Sequence, residues 1–143
     1  GVTEELSAQE IYEMCRKVEP FRIASDTRIV HIHLSVSDSQ VASAFYQAVL
    51  DLSDKFTVPS ASWIASGDYH HHLAVNEWGG KHLAKRETQL PGLAYYVVQV
   101  EQKEDLVSIA ERAKEEGSPV TWLTSSELEF TDPDGLVTHV RKG

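Results

Sequence analysis

The segment IVHIHLSV, residues 29–36, narrows the folds open to this chain more than any other feature. Ile32, Leu34 and Val36 fall on one side and His31, His33 and Ser35 on the other, the period-two alternation of a half-buried strand. One face of such a strand has to be covered by apolar surface, and the next segment supplies it. Ser37, Asp38 or Ser39 can cap a helix whose Val41, Ala42, Phe45 and Val49 form one apolar stripe. Short strands are then expected at Lys55–Val58, Ser62–Ala65 and Tyr69–Trp78, punctuated by Pro59-Ser60 and Gly67-Asp68. The resulting order is β, α, β, β, β.

The same order starts again after a polar, glycine-containing linker running from Gly79 to Pro91. GLAYYVVQV (residues 92–100) reads as a strand, Lys103–Glu116 as a helix, and Val120–Leu123 and Glu127–Phe130 as short strands. The turn Asp132-Pro133-Asp134-Gly135 introduces a last strand, Leu136–Arg141. Laying His31 on Tyr95 superposes Leu34 on Val98, Val36 on Val100, Phe45 on Ile109 and Val49 on Ala113, so the repeat is one of pattern and not of identity. The expected fold class is α+β: paired βαβββ units at residues 28–78 and 92–143, forming curved mixed sheets whose concave faces carry the polar set. Residues 1–27 read as a helical leader and linker. Ser7 and Glu10 have capping-box spacing, and Ile11, Met14, Cys15 and Val18 repeat at helical intervals until Pro20.

Composition removes several function classes. Thirteen basic against twenty-two acidic side chains give a formal charge of −9, which repels nucleic acid and anionic lipid alike. The apolar runs are too short to span a bilayer, and the N-terminus lacks a signal-peptide pattern. The single cysteine, Cys15, can form no internal disulfide and fits a reducing, cytoplasmic compartment. Nothing near it marks it as reactive.

The chemistry rests on histidine. Of the seven, His31 and His33 lie on the first strand, His70, His71 and His72 on the fourth, and His139 on the last; His82 lies in the linker. Any one imidazole taken alone is more simply a solvated or packed side chain, but histidines on strands that adjoin suggest a divalent-metal site. Along an extended triplet the middle side chain faces away from its neighbours, so either His71 or the pair His70 and His72 is expected on the concave face. Trp63, Trp78 and Trp122 read as core or rim aromatics. Lys81, His82, Lys85 and Arg86 suit either a lid or an ordinary polar linker.

The stretches RIVHIHLSVSD, AFYQAVLDL, SGDYHHHLAVNEW, GLAYYVVQV and FTDPDG resemble, in order and spacing, the vicinal oxygen chelate superfamily of glyoxalases, bleomycin resistance proteins and extradiol dioxygenases. The resemblance covers nearly everything from Arg28 onward and is strongest to the C-terminal half of two-domain bacterial catechol 2,3-dioxygenase-like proteins. The leader looks like the linker before that half. Such a resemblance implies Fe(II), or Mn(II), held by two histidines and a glutamate, a catechol-like substrate, and a homodimer or pairing with an N-terminal domain outside this chain.

Carried over by residue, His31 matches the first-strand ligand and His71 the acid/base histidine, with His72 the alternative if a glyoxalase alignment is preferred. Tyr95 stands where the second-unit histidine belongs and is a candidate substrate contact. His139 stands where the glutamate belongs, and Glu129 replaces an active-site tyrosine. The metal set this leaves is His31, His71 and His139, or else a composite in which this chain gives His31 and His71 and an absent half gives the rest. A catalytically silent ligand-binding or docking module is the alternative from another class. A glyoxalase-like lyase or isomerase, or a resistance protein, is a further one, although the glutamates such sites use on the fourth and eighth strands are not in register.

Overall fold

The computed structural model describes residues 7–14, 23, 25–87 and 91–143. Its elements are α1 (Ala8–Met14), β1 (Ile32–Ser35), α2 (Ser39–Leu50), β2 (Ser53–Val58), β3 (Ala61–Ala65), β4 (Leu73–Asn76), β5 (Tyr96–Val100), α3 (Lys103–Glu115), β6 (Val120–Thr124), β7 (Glu127–Thr131) and β8 (Val137–Lys142). They build two four-stranded sheets of order β1-β4-β3-β2 and β5-β8-β7-β6. This is the expected α+β architecture of twice-repeated βαβββ. In each unit the first strand lies parallel to the last, β1 to β4 and β5 to β8, and the remaining pairs are antiparallel. A parallel pair cannot be joined by a tight turn, so a long crossover is obligatory, and α2 and α3 begin the two crossovers.

Three paired segments are shorter than their sequence patterns. The ladder covers Ile32–Ser35 against Leu73–Asn76, where alternation had suggested residues 29–36 and 69–78. Likewise only Tyr96–Val100 of the segment 92–100 pairs. Alternating hydrophobicity records which side chains face a core, but a strand continues only where a neighbouring backbone is present to accept its hydrogen bonds. In the leader, the Glu10 amide donates to Ser7 Oγ (3.3 Å), as the cap spacing suggested. Cys15, Val18 and Pro20 lie outside the described residues.

Helix α2 is fixed at both ends. Asp38 Oδ1 accepts the amides of Gln40 (2.9 Å) and Val41 (3.0 Å), and Asp51 closes the helix in the left-handed region. Glu77, just beyond β4, adds a tertiary cap: its Oε1 accepts both the amide (3.0 Å) and the hydroxyl (2.9 Å) of Ser39. Those two donors, chiefly the amide, hold the Glu77 carboxyl below its ordinary value. A depressed carboxyl stabilises the fold above its unfolded value and loses that contribution as pH falls through its folded value. Glu77→Gln is therefore expected to unfold at lower urea than wild type at pH 7, with the gap closing as pH falls below 4.5, the ordinary value. A gap that persists at pH 3 would mean that the charge on Glu77 is not what it contributes.

The buried stripe of α2 is Ala42, Phe45, Tyr46 and Val49. Val41, assigned to that stripe from sequence, is exposed, because Tyr46 rather than Val41 completes the arc at about 100° per residue. One core joins the units: Leu34, Val36, Ile64 and Val75 from the first, Leu106, Ile109, Phe130 and Val140 from the second. Three polar contacts reinforce the seam. Tyr46 Oη donates to Asp132 Oδ2 (2.8 Å), the Ser37 amide donates to Asp134 Oδ2 (3.1 Å), and Arg112 Nε donates to the Val49 carbonyl (2.9 Å). The turn Asp132–Gly135 therefore does more than start β8. It clasps the helix of the other unit and the loop that leads into it.

Candidate metal centre

Because α2 covers the face of the first sheet that carries Leu34, Val36, Ile64 and Val75, the opposite face of β1 is left to His33, in register with Ala74 of β4. His31 lies one residue before β1, and His70, His71 and His72 run into the start of β4. The parallel ladder brings these two strand entrances together: the Ile32 amide donates to the His72 carbonyl (3.1 Å). The imidazoles gather as a consequence. Ring centroids lie 4.4 Å apart for His31 and His71, 4.5 Å for His70 and His71, 6.0 Å for His31 and His70, and 5.5 Å for His33 against each of His31 and His71.

One ring nitrogen from each of His31, His70 and His71 falls within 4.8 Å of the other two. His71 Nε2 is shielded from solvent and has no hydrogen-bond partner. Burial, followed by the neighbouring His31, His70, His33 and His72, lowers the proton affinity of His71. An imidazole held neutral keeps one unprotonated ring nitrogen for a metal, and an unpartnered Nε2 leaves that position open to one. Three imidazoles gathered in this way suit a divalent transition metal. Among the described residues this group includes no carboxylate.

The alternation argument for the triplet does not hold here. His70 and His71 precede the backbone bonds that tie His72 to Ile32 and Ile64, so they escape strict two-sidedness, and both reach His31. His72 is the one that turns aside: its Nδ1 accepts the Ser66 amide (3.2 Å) and its ring stacks on Tyr69 at 4.7 Å. The structure does not bring His139 to His31 and His71. It sits on β8 of the second sheet, opposite Glu129, with Nδ1 3.2 Å from Glu127 Oε1 and Nε2 3.4 Å from Glu129 Oε2. Tyr95 lies flat on it, 3.9 Å between centroids and 6° from parallel. In the two ladders His139 occupies the position that Ala74 holds in β4, beside Val97 as Ala74 is beside His33. Sequence reasoning weighed His70 only as the companion of His72 and the alternative to His71, and left it out of the metal set, since nothing in the sequence marks where pairing of β4 begins.

The surroundings differ between the two sheets. In the first, an aromatic series Phe56, Trp63, Trp78 and His33 runs at centroid spacings of 5.4, 6.4 and 6.3 Å, with Trp78 exposed at the rim and Trp63 half-buried. In the second, Arg141 Nη2 donates to Glu127 Oε1 (3.0 Å), and this bond is the main reason the Glu127 carboxyl titrates below its ordinary value. The described part of the linker is bonded at the seam between units: the His82 amide donates to the Ser37 carbonyl (3.4 Å) and the Arg86 amide to the Asp134 carbonyl (2.9 Å).

Comparison with known proteins agrees with this architecture. A catechol-2,3-dioxygenase of Bacillus subtilis (strain 168) is 37% identical over 113 residues, which are 78% of this chain and 39% of that protein. The chain therefore spans about two fifths of that relative. Among solved structures, a glyoxylase/bleomycin resistance protein/dioxygenase domain from Frankia sp. EAN1pec superposes with a TM-score of 0.64 at 22% identity, covering 83% of this chain and 99% of that one. A lactoylglutathione lyase from Agrobacterium tumefaciens gives 0.61 at 19% identity (84% and 96% covered). A fosfomycin resistance protein from Listeria monocytogenes gives 0.60 at 17% identity (85% and 93%). At such identities the structural matches speak for the fold alone. The model of the glyoxalase/bleomycin resistance protein/dioxygenase superfamily matches residues 28–140, and the chain belongs to that superfamily.

Proposed function

We propose that this chain is one half of a metal-dependent extradiol ring-cleavage dioxygenase acting on a catechol-like substrate. The observation that carries the reading is the gathering of His31, His70 and His71 at the entrances of β1 and β4, in a chain similar to a catechol-2,3-dioxygenase. Fe(II) or Mn(II), when bound there, supplies an electrophilic, redox-active centre at which a catechol and dioxygen meet.

The chain's own residues define what surrounds that centre. His31 and His70, exposed, and His71, half-buried, offer the nitrogen donors. His33, within 5.5 Å of both His31 and His71, is placed to take or return a phenolic proton. Trp78 beside His33 provides a flat apolar wall against which an aromatic ring can lie. The missing ligand is a carboxylate, and we assign it to a facing half: an N-terminal domain of a longer protein, or a second copy presenting its Glu127–His139–Glu129 sheet. Where a second copy is the facing half, its Tyr95 would contact substrate from that opposite side.

The absence of a carboxylate from the described cluster also favours a second reading, a non-catalytic binding module of the same fold. Dioxygen uptake separates the two. With its facing half in place, as the longer protein or as a dimer of this chain, the Fe(II)-loaded protein mixed with catechol is expected to consume one O₂ per catechol, with both atoms of ¹⁸O₂ recovered in the ring-opened product. Stoichiometric metal with no oxygen uptake would favour the binding module.

A further inference from the structure

His33 belongs to the same gathering of rings as His31, His70 and His71. It follows His31 by two residues, and side chains at that separation in an extended chain share a face, so the two imidazoles converge with centroids 5.5 Å apart. The five ring contacts among these four histidines span 4.4 to 6.0 Å. A tetrahedral zinc with Zn–N bonds of about 2.0–2.1 Å holds its imidazole centres about 5 Å apart, in the middle of that range. None of the four imidazoles has a hydrogen-bond partner among the described residues, whereas His72 accepts from the Ser66 amide and His139 lies against Glu127. His33 stands outside the group of nitrogens within 4.8 Å of one another, and as an exposed side chain it can reach them by rotation about its own bonds.

We propose that His33 closes the histidine cluster into a four-imidazole site for Zn(II), a resting state with no coordination position left for substrate or dioxygen. Zinc takes four ligands in a tetrahedron, and sites closed in that way are inert where three-ligand sites with an open position are reactive. The donor type favours zinc as well. Imidazoles without a carboxylate suit zinc better than manganese, and zinc binds nitrogen sites more tightly than Fe(II) or Mn(II). The inference rests on the ring-cleavage reading only for what closure silences; zinc binding itself rests on the four rings. When Fe(II) or Mn(II) and a facing carboxylate occupy the centre instead, His33 is released to handle the phenolic proton.

Cobalt(II), which occupies zinc sites and absorbs visible light according to its coordination number, tests this on the full chain without turnover. Wild type is expected to bind stoichiometric Co(II) with the intense bands of a four-coordinate ion. Those bands should not respond to azide, nor to pH from about 6.5 to about 9, because a closed site has no bound water to ionise near neutrality. His33→Ala, at an exposed position, should bind Zn(II) about 100-fold more weakly and give Co(II) bands that shift with azide and with pH. His72→Ala should match wild type. No Co(II) in wild type, bands there that shift with azide, or a His33→Ala variant as tight and as closed as wild type overturns the four-imidazole site, as does His72→Ala opening it in place of His33→Ala. A closed Co(II) spectrum without oxygen uptake by the Fe(II)-loaded, paired halves would sink ring cleavage and leave the zinc site standing. Oxygen uptake alongside an azide-sensitive Co(II) spectrum in wild type would do the reverse.

Discussion

His31→Ala, His70→Ala and His71→Ala are each expected to lower affinity for Fe(II) or Mn(II) by about 100-fold, whereas His72→Ala leaves it within about threefold. Structural zinc sites draw about 10–16 kcal/mol from four ligands, so one imidazole is worth about 3 kcal/mol, or two decades in affinity. His72 is exempt because its Nδ1 already accepts the Ser66 amide and its ring is stacked on Tyr69. Anaerobic competition against a chromophoric chelator reads the affinities directly. His139→Ala is the informative companion. If the histidine cluster of one unit binds unaided, that substitution changes nothing; if two copies share one centre, it weakens binding as much as His71→Ala does and the loss depends on protein concentration. Equal affinity in wild type and all three cluster variants would remove the metal centre altogether.

Asp132→Ala is expected to cost about 3 kcal/mol of folding stability, because it strips the acceptor from donors of which one is fully buried. Asp132 Oδ2 receives the Tyr46 hydroxyl at 2.8 Å, and Oδ1 receives the amides of Asp134 (3.0 Å) and Leu136 (2.8 Å). The loss would loosen the turn and the seam together. Asp132→Asn, which keeps an oxygen for the two amides, should cost less than half as much. Burial raises the Asp132 carboxyl above its ordinary value of 3.8, so the fold favours its protonated form. That favourable contribution is complete below 3.8 and disappears as pH rises through the raised value, leaving a charge penalty at neutrality. Urea unfolding at pH 3.5 and pH 7 should therefore show wild type losing ground relative to Asp132→Asn as pH rises. A pH-independent difference would mean that Asp132 is neutral, or fully compensated, throughout.

The same residues show what was legible beforehand. Aspartates, proline and glycine at 132–135 announce a turn before a last strand in any sequence that carries them, and the turn is there. Its reach to Tyr46 across 86 residues leaves no local mark, since it arises from packing α2 and α3 into one core. Val41 against Tyr46 is a lesson of the same kind. Both are compatible with an amphipathic helix, and only the position of the second unit decides which of them is buried.

The candidate centre divides likewise. The sequence by itself determined the two βαβββ units, the face of β1 on which His33 lies, a helix cap among Ser37, Asp38 and Ser39, and the concentration of imidazoles in two segments, because periodicity and capping act over a few residues. Tertiary structure alone decided that β1 and β4 meet in parallel with their entrances side by side, that pairing starts at Leu73 and frees His70 to join His31 and His71, and that His139 lies with Glu127, Glu129 and Tyr95 on another sheet. Register and strand ends are set by backbone hydrogen bonds between segments about forty residues apart. A shift of one residue there changes which side chains share a site while leaving the local pattern almost untouched.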